Sequence, residues 1–485
     1  VNPVIAQANA NLLHAIGVTG EYRSTLGPVF AASAGTIGYS QGINEVRDNH
    51  VVETATHLQP TVGALVSLPI DITGYLRAAT DAAHFEEIAA RLDVNRTRNE
   101  VVAGVETAYY NVLRSQALEN VARENLLNAQ ARLDDANKKF QAQTVAILDV
   151  ARAQTDVAEA QQQLIVARNA VSLNIAALNN AIGLDVSTSL KVTDADVVEQ
   201  PPGVTPPSVP PVTPTSVPLS GTPGQTPAQD AAALQADLDA ATAVAAQANL
   251  TSKLSQATPM ATPSPTQDSL QLGSDFDALV KEALAQRPEI LQSEADIAAA
   301  HKGIYYARRS TLPQLSVNLR YEYAASTFGT SVVLNNSQAF VGLTIPLYDA
   351  GTAHARVQQA VGQEANALIV RRRLTDAVTL EVRQAYLDLG QARDRVAVAN
   401  QALAQAREAF LLARIRYNAG VTAKAGVSPL LEVSDAQAAL TLAETRQVEG
   451  LYDYNSARVG LNRAIGRYSY ANDQIGYPKA PPIRP

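Results

Sequence analysis

Two carboxylates, Glu432 and Asp435, stand three residues apart in the stretch LEVSDAQ at 431–437. On a helix that spacing puts both on one face. Carboxylates gathered on an exposed face favour cations and can bind metal ions. In the first turn of a helix, acids also suit the macrodipole with no further role. The stretch has a partner, LDVARAQ at 148–154, in which Asp149 matches Glu432 and Arg152 stands where Asp435 would be. The chemistry on offer is the handling of charge, not the making of bonds. The six histidines show no metal-ligand spacing, and nothing has the form of a P-loop, a zincin helix or a nucleophile elbow. No enzyme, cofactor or bound metal is expected.

The two stretches belong to a longer repetition. SLPI at 67–70 is echoed by TIPL at 344–347, AYYNVL at 108–113 by AYLDLG at 385–390, and Phe140 by Tyr417, all 277 residues apart. Beyond Tyr417 the spacing becomes 283 and holds through LNNAIG at 178–183 and LNRAIG at 461–466, so the second copy carries six extra residues around GVTAKAG. RSTLGP at 23–28 is echoed by RSTLP at 309–313. The chain is two copies of one large unit, not a string of small repeats.

Within each copy a long apolar heptad predicts a helix. From Val382 to Tyr417 apolar residues alternate three and four apart without a break; from Val105 to Phe140 only Ser115 and Glu119 interrupt the rhythm. One seam position is nearly always Ala, so a partner helix can approach closely. That partner follows at once, over Val150–Ala181 and Val433–Ala464. No proline interrupts Gly74 to Phe140 or Gly351 to Tyr417. Each such helix would run roughly 100 Å.

Ahead of each long helix the period falls to two. Leu315, Val317, Leu319, Tyr321 and Tyr323 alternate with Ser316, Asn318, Arg320 and Glu322; Val341, Leu343 and Ile345 alternate with Gly342 and Thr344; Val62, Ala64, Val66, Leu68 and Ile70 form a third series. VFAASAGTIGYS at 29–40 is the least regular. These read as strands with one wet and one greasy face. Four strands cannot close a barrel, which needs about eight, and an open edge is not tolerated in lipid. Either several chains share one barrel, or the strands are soluble hairpins capping a coiled coil.

The 485 residues carry a net charge of −8 and a pI of about 5.4, which exclude a general nucleic-acid binder. RRR at 371–373 reads as a solvated helix face. There is no cysteine, hence no disulfide, thiolate site or lipid-bearing cysteine in this sequence. No apolar run reaches the roughly 18 residues of a transmembrane helix. The first copy opens at NPVIAQ, without the counterpart of residues 275–286, so a leader and part of a helix are expected upstream. The Pro-rich stretch 201–227 excludes regular helix or sheet. It reads as a flexible linker or as a docking or cell-wall contact. The expected layout is a first repeat over 1–200, a linker over 201–273, a second repeat over 274–470 and a tail over 471–485.

With two copies of strand–strand–long helix–tip–return helix, IPLYDAG at 345–351 after the strands and RYNAG…LLEVSDAQ at the second tip, the chain resembles the TolC family of outer-membrane efflux proteins. The resemblance covers nearly all of the chain except the Pro-rich insert. It implies a mainly α fold with a transmembrane β part: duplicated helical hairpins building an α-barrel, and four strands per chain contributing to a shared trimeric β-barrel. It implies an outer-membrane export duct with a long periplasmic extension, of a tripartite efflux or type I secretion system. The expected partners are two further copies, a periplasmic adaptor, an inner-membrane pump and outer-membrane lipid. A coiled-coil scaffold of the cell envelope, without a pore, is the alternative.

The resemblance also implies a gate at the narrow end involving Asp149 and Tyr417, with Glu432 and Asp435 forming acidic rings in a three-fold assembly. It implies an adaptor contact through a hydrophobic–Gly–hydrophobic turn. The second tip fits this at Gly420 and Val421; the first, with Ala142, Gln143 and Thr144, departs from it at Gln143, where Gly is expected. Tyr305 and Tyr306 precede a strand and suit either a membrane interface or a core.

Overall fold

A computed structural model of the chain describes residues 2–38, 43–55, 58–192, 198–204, 268–325, 333–419 and 429–468. The chain divides into two units, Val1–Val204 with Leu279–Pro485, and Thr205–Ala278. Both sequence copies fall in the first apart from the start of the second copy, and the first unit holds the elements discussed below except residues 268–278.

In the first copy α1 (Pro3–Ser24) leads to β1 (Val29–Gly38), β2 (Ile43–Arg47), β3 (His50–Ala55) and β4 (Leu58–Ile70), then α2 (Tyr75–Gln141) and α3 (Ile147–Ile182). In the second, α4 (Asp268–Gln286) and α5 (Pro288–Arg309) lead to β5 (Gln314–Ala325), β6 (Val333–Thr344), α6 (Thr352–Ala419) and α7 (Pro429–Ile465). The long helices α2 and α6 hold 67 and 68 residues, about 100 Å each. Their seams are buried where the heptad placed them: Val112, Val382 and Val396 are fully enclosed, and Ala129, Ala136, Ala153 and Ala160 mark where helices approach closely.

The ends repeat as faithfully. Gly183 and Gly466, 283 apart, both close their helices in left-handed backbone. The amides of Leu184 and Arg467 reach back to the carbonyls of Asn179 and Asn462, the Schellman pattern. Gly74 turns the chain from β4 into α2 at φ 70. Its carbonyl accepts from Arg309 Nη1 at 3.0 Å, and a Cβ there would lie 2.5 Å from the same nitrogen. The positive φ is what favours glycine; a side chain there would also displace the Arg309 guanidinium.

One antiparallel sheet joins the copies, in the order β1–β4–β5–β6. The register puts Val62 opposite Tyr323, Ala64 opposite Tyr321, Val66 opposite Leu319 and Leu68 opposite Val317. It continues with Leu319 opposite Ala339 and Leu315 opposite Leu343. The greasy rows of separate strands thus merge into one face. The other face carries Ser316, Asn318, Arg320 and Glu322, with Leu65 and Phe340 set among them. The hairpin β2–β3 was not foreseen in the sequence. It turns through Asp48 and Asn49, both at positive φ, a two-residue turn of the kind that follows strand twist.

Tyr306 is neither free nor core: its ring stacks on Tyr75 at 4.5 Å. The two hydroxyls meet at 2.8 Å. Burial and then this hydrogen bond push the Tyr75 phenol up to about 12. Tyr305 lies edge-on to His301. Among the described residues no helix is long and apolar enough to cross a membrane.

Candidate gate at the hairpin tips

The first tip lies between Gln141, which ends α2, and Ile147, which begins α3. The amide of Gln143 donates to the Phe140 carbonyl and that of Thr144 to the Lys139 carbonyl, both at 2.9 Å. Thr144 Oγ1 adds a second bond to the same carbonyl at 2.9 Å. Gln143 has φ 57. The turn keeps the left-handed form that glycine favours, with a glutamine in it, at a strain of about 1 kcal/mol. Ala142, Gln143 and Thr144 are all exposed. Gly420 and Val421, the matching positions of the second tip, lie outside the described residues.

The two tips pack on one another. Ala136, Val150 and Ala153 of the first hairpin meet Ala413, Tyr417, Leu430 and Val433 of the second. Tyr417 is 7% exposed there, whereas its counterpart Phe140 is 41% exposed, so duplication of sequence has not duplicated the environment. Asp149, in the first turn of α3, is also buried. Its charge reaches Tyr417: burial first, then Asp135 and Asp149, raise the tyrosine's pKa above its ordinary value. Among the described residues no hydrogen bond joins the pair, and the buried Tyr417 Oη has no partner.

Glu432 and Asp435 part company. Glu432, in the first turn of α7, is ion-paired with Arg416 near the end of α6. Asp435, one turn on, is exposed, as is Arg152 at the matching place on α3. Sequence reasoning missed Arg416 and also Lys139, whose Nζ sits 3.4 Å from the centre of the Tyr417 ring. Farther from the tip, Ser434 Oγ donates to Asp156 Oδ2 at 2.9 Å, and Arg132 lies 3.8 Å from the same carboxylate. These side chains line a groove of about 840 Å³ between α2, α3 and α7. None of these partners was legible by spacing, since each pair joins residues that only the fold brings together.

This layout has a known counterpart. The family description "Outer membrane efflux protein" matches residues 1–184 and 279–467. The chain belongs to the outer membrane efflux protein family. Among family relatives, the pyoverdine export outer membrane protein OpmQ of Pseudomonas putida is 32% identical over 186 residues, which is 38% of each chain. OpmQ of Pseudomonas aeruginosa is 22% identical over 446 residues, 92% of this chain and 77% of that one. The first of these matches thus spans well under half of the relative's length. In fold, the Campylobacter jejuni CmeC outer membrane channel superposes with a TM-score of 0.67 at 17% identity, covering 96% of this chain and 83% of that one. VceC of Vibrio cholerae gives 0.65 at 15%, covering 96% and 93%.

Proposed function

We propose that this outer membrane efflux protein is one protomer of a homotrimeric export duct, passively conducting substrate from an inner-membrane pump, through a periplasmic adaptor, across the outer membrane. The observation that carries the reading is the unfinished sheet. Strands of 10 to 13 residues are long enough to span a bilayer at a tilt. They share one apolar face, yet among the described residues β1 and β6 are each paired on one side only and leave open edges. Lipid does not tolerate open edges. Three copies give twelve strands, enough to close a barrel.

At the tips, Asp149, Tyr417, Glu432 and Asp435 are the proposed gate. Ala142, Gln143, Thr144, Gly420 and Val421 are the proposed adaptor contacts. The left-handed backbone at Gln143 supports the adaptor reading for the first tip, because it preserves the turn without the glycine. A duct carries no energy source, so direction comes from the pump. The relatives named for pyoverdine export make pyoverdine one cargo to test.

The test is reconstitution of the full chain into planar bilayers, with the mass of the detergent-solubilised particle measured alongside. Trimeric particles that form stable single channels support the duct. A folded monomer, soluble without detergent and silent in bilayers, overturns it in favour of a scaffold.

A further inference from the structure

Among the described residues, the polar face of the four-stranded sheet carries one aromatic side chain, Phe340 on β6, opposite Asn318 on β5. The same face holds Ser316, Arg320 and Glu322, with Arg320 paired to Glu322 at 3.0 Å. Phe340 is 62% exposed. Gly342, two residues on along the same face, is buried, the one buried residue of β6 among those described. The ring supplies that cover. A Cβ on Gly342 would lie 2.6 Å from Phe340 Cε1 and 3.2 Å from Cζ, too close for the ring to stay where it is. A strand side chain ordinarily rises roughly perpendicular to its sheet. Here the missing Cβ lets the ring lie along the strand, over a glycine backbone that has no cover of its own.

We propose that Gly342 sets the clear width of the barrel at this level by letting the Phe340 ring lie along the wall. The inference rests on the duct reading above, in which the polar face turns to the lumen and each of three chains contributes one such ring. A side chain at position 342 displaces the ring. Its remaining staggered rotamers carry it away from Gly342, and a ring standing off the sheet projects into the lumen. Three such rings narrow the passage for bulky cargo while leaving small ions free. Gly342 is thus a positioning residue, and the size of what passes is what it governs. The two residues act as one: without the ring, a methyl group at position 342 adds almost nothing to the wall.

The test uses the full chain in planar bilayers, with polyethylene glycols of graded size added to either side. A polymer that enters the barrel lowers the conductance, so the largest polymer that does so measures the width. Gly342→Ala is expected to lower that cut-off on the side onto which the barrel opens. Phe340→Ser keeps a cut-off at least as large as the native one, and Phe340→Ser/Gly342→Ala matches Phe340→Ser. The chain has no tryptophan, so Phe340→Trp supplies the only indole fluorophore, which needs no conduction to be read. In protein folded into lipid vesicles, aqueous acrylamide should quench it, brominated acyl chains should not, and adding Gly342→Ala should raise the acrylamide quenching. A native cut-off in Gly342→Ala, with native channels present, overturns the proposal and leaves the duct. A narrowing that persists in Phe340→Ser/Gly342→Ala also overturns it, by assigning the loss to a shifted strand. Quenching chiefly by the brominated chains overturns it by placing the ring in lipid. Acrylamide quenching that rises with Gly342→Ala in a chain that never conducts upholds the seat of the ring and removes the duct.

Discussion

Arg416 is ion-paired with Glu432 across the second tip, so one of the two tip carboxylates is neutralised inside its own hairpin. Both side chains are partly exposed, and such a pair contributes little to stability. Its consequence is electrostatic. The repeat then sets Asp435 of one hairpin against Arg152 of the other at matching exposed positions. A ring built from three chains would alternate in sign, not accumulate acid. Asp435→Asn is therefore expected to move the channel toward anions, and Arg152→Gln toward cations. Each permeability ratio should change about two- to fivefold, the weight of one charge at roughly 4–8 Å through water. The double variant Glu432→Gln/Arg416→Gln, which removes both charges of the pair together, should leave selectivity nearly unchanged. Reversal potentials in a salt gradient measure all three. Selectivity lost in that double variant but kept in Asp435→Asn would reverse the assignment.

The strain at Gln143 makes a second prediction. Replacing it with glycine removes about 1 kcal/mol of left-handed backbone strain without touching the hydrogen bonds of the turn. The tip amides, including that of Thr144, should exchange with solvent about fivefold more slowly in Gln143→Gly. Gln143→Val, whose branched side chain resists this backbone region, should speed exchange. If the adaptor reads the backbone form of this turn, Gln143→Gly should bind adaptor at least as well as the native chain.

What the sequence disclosed follows from how local each cause is. The heptad from Val382 to Tyr417 and the alternation from Leu315 to Tyr323 are periodic within one element, so they specify the element and its buried face directly. The β2–β3 hairpin escaped because its signal was only Asp48 and Asn49, two residues that tolerate positive φ. The tip chemistry escaped for a different reason. Lys139 meets Tyr417, and Ser434 meets Asp156, each across 278 residues. Nothing in either stretch alone marks the partner. The duplication even misleads here: Phe140 and Tyr417 match in sequence, yet one is exposed and the other buried.

Glu444 supplies a pH dependence. Burial, and then the charge of Glu124, raise its pKa, while Arg407 acts the other way. A carboxyl raised in the folded state lies above its unfolded value. It contributes nothing below the ordinary glutamate range and destabilises the fold increasingly as pH rises through the raised value. Glu444→Gln should therefore melt at the same temperature as the native chain near pH 4 and at a higher one near pH 8. Parallel melting curves at both values would show that the carboxyl is not held back from ionising.

The membrane reading can be tested one residue at a time on β5. Leu319 lies on the apolar face, opposite Val66 on one side and Ala339 on the other, while Asn318 lies on the opposite face, between Ser67 and Phe340. If the apolar face meets lipid, Leu319→Arg places a charge near mid-depth and should cost about 2–4 kcal/mol. Asn318→Arg, facing a watery lumen, should cost little. Equilibrium unfolding by urea of protein folded into lipid vesicles separates the two variants. A soluble cap would respond differently, because an arginine on an exposed face in water is nearly neutral for stability. Equal unfolding midpoints for the two variants would mean that the face formed by Val66, Leu319 and Ala339 is not a lipid-facing one.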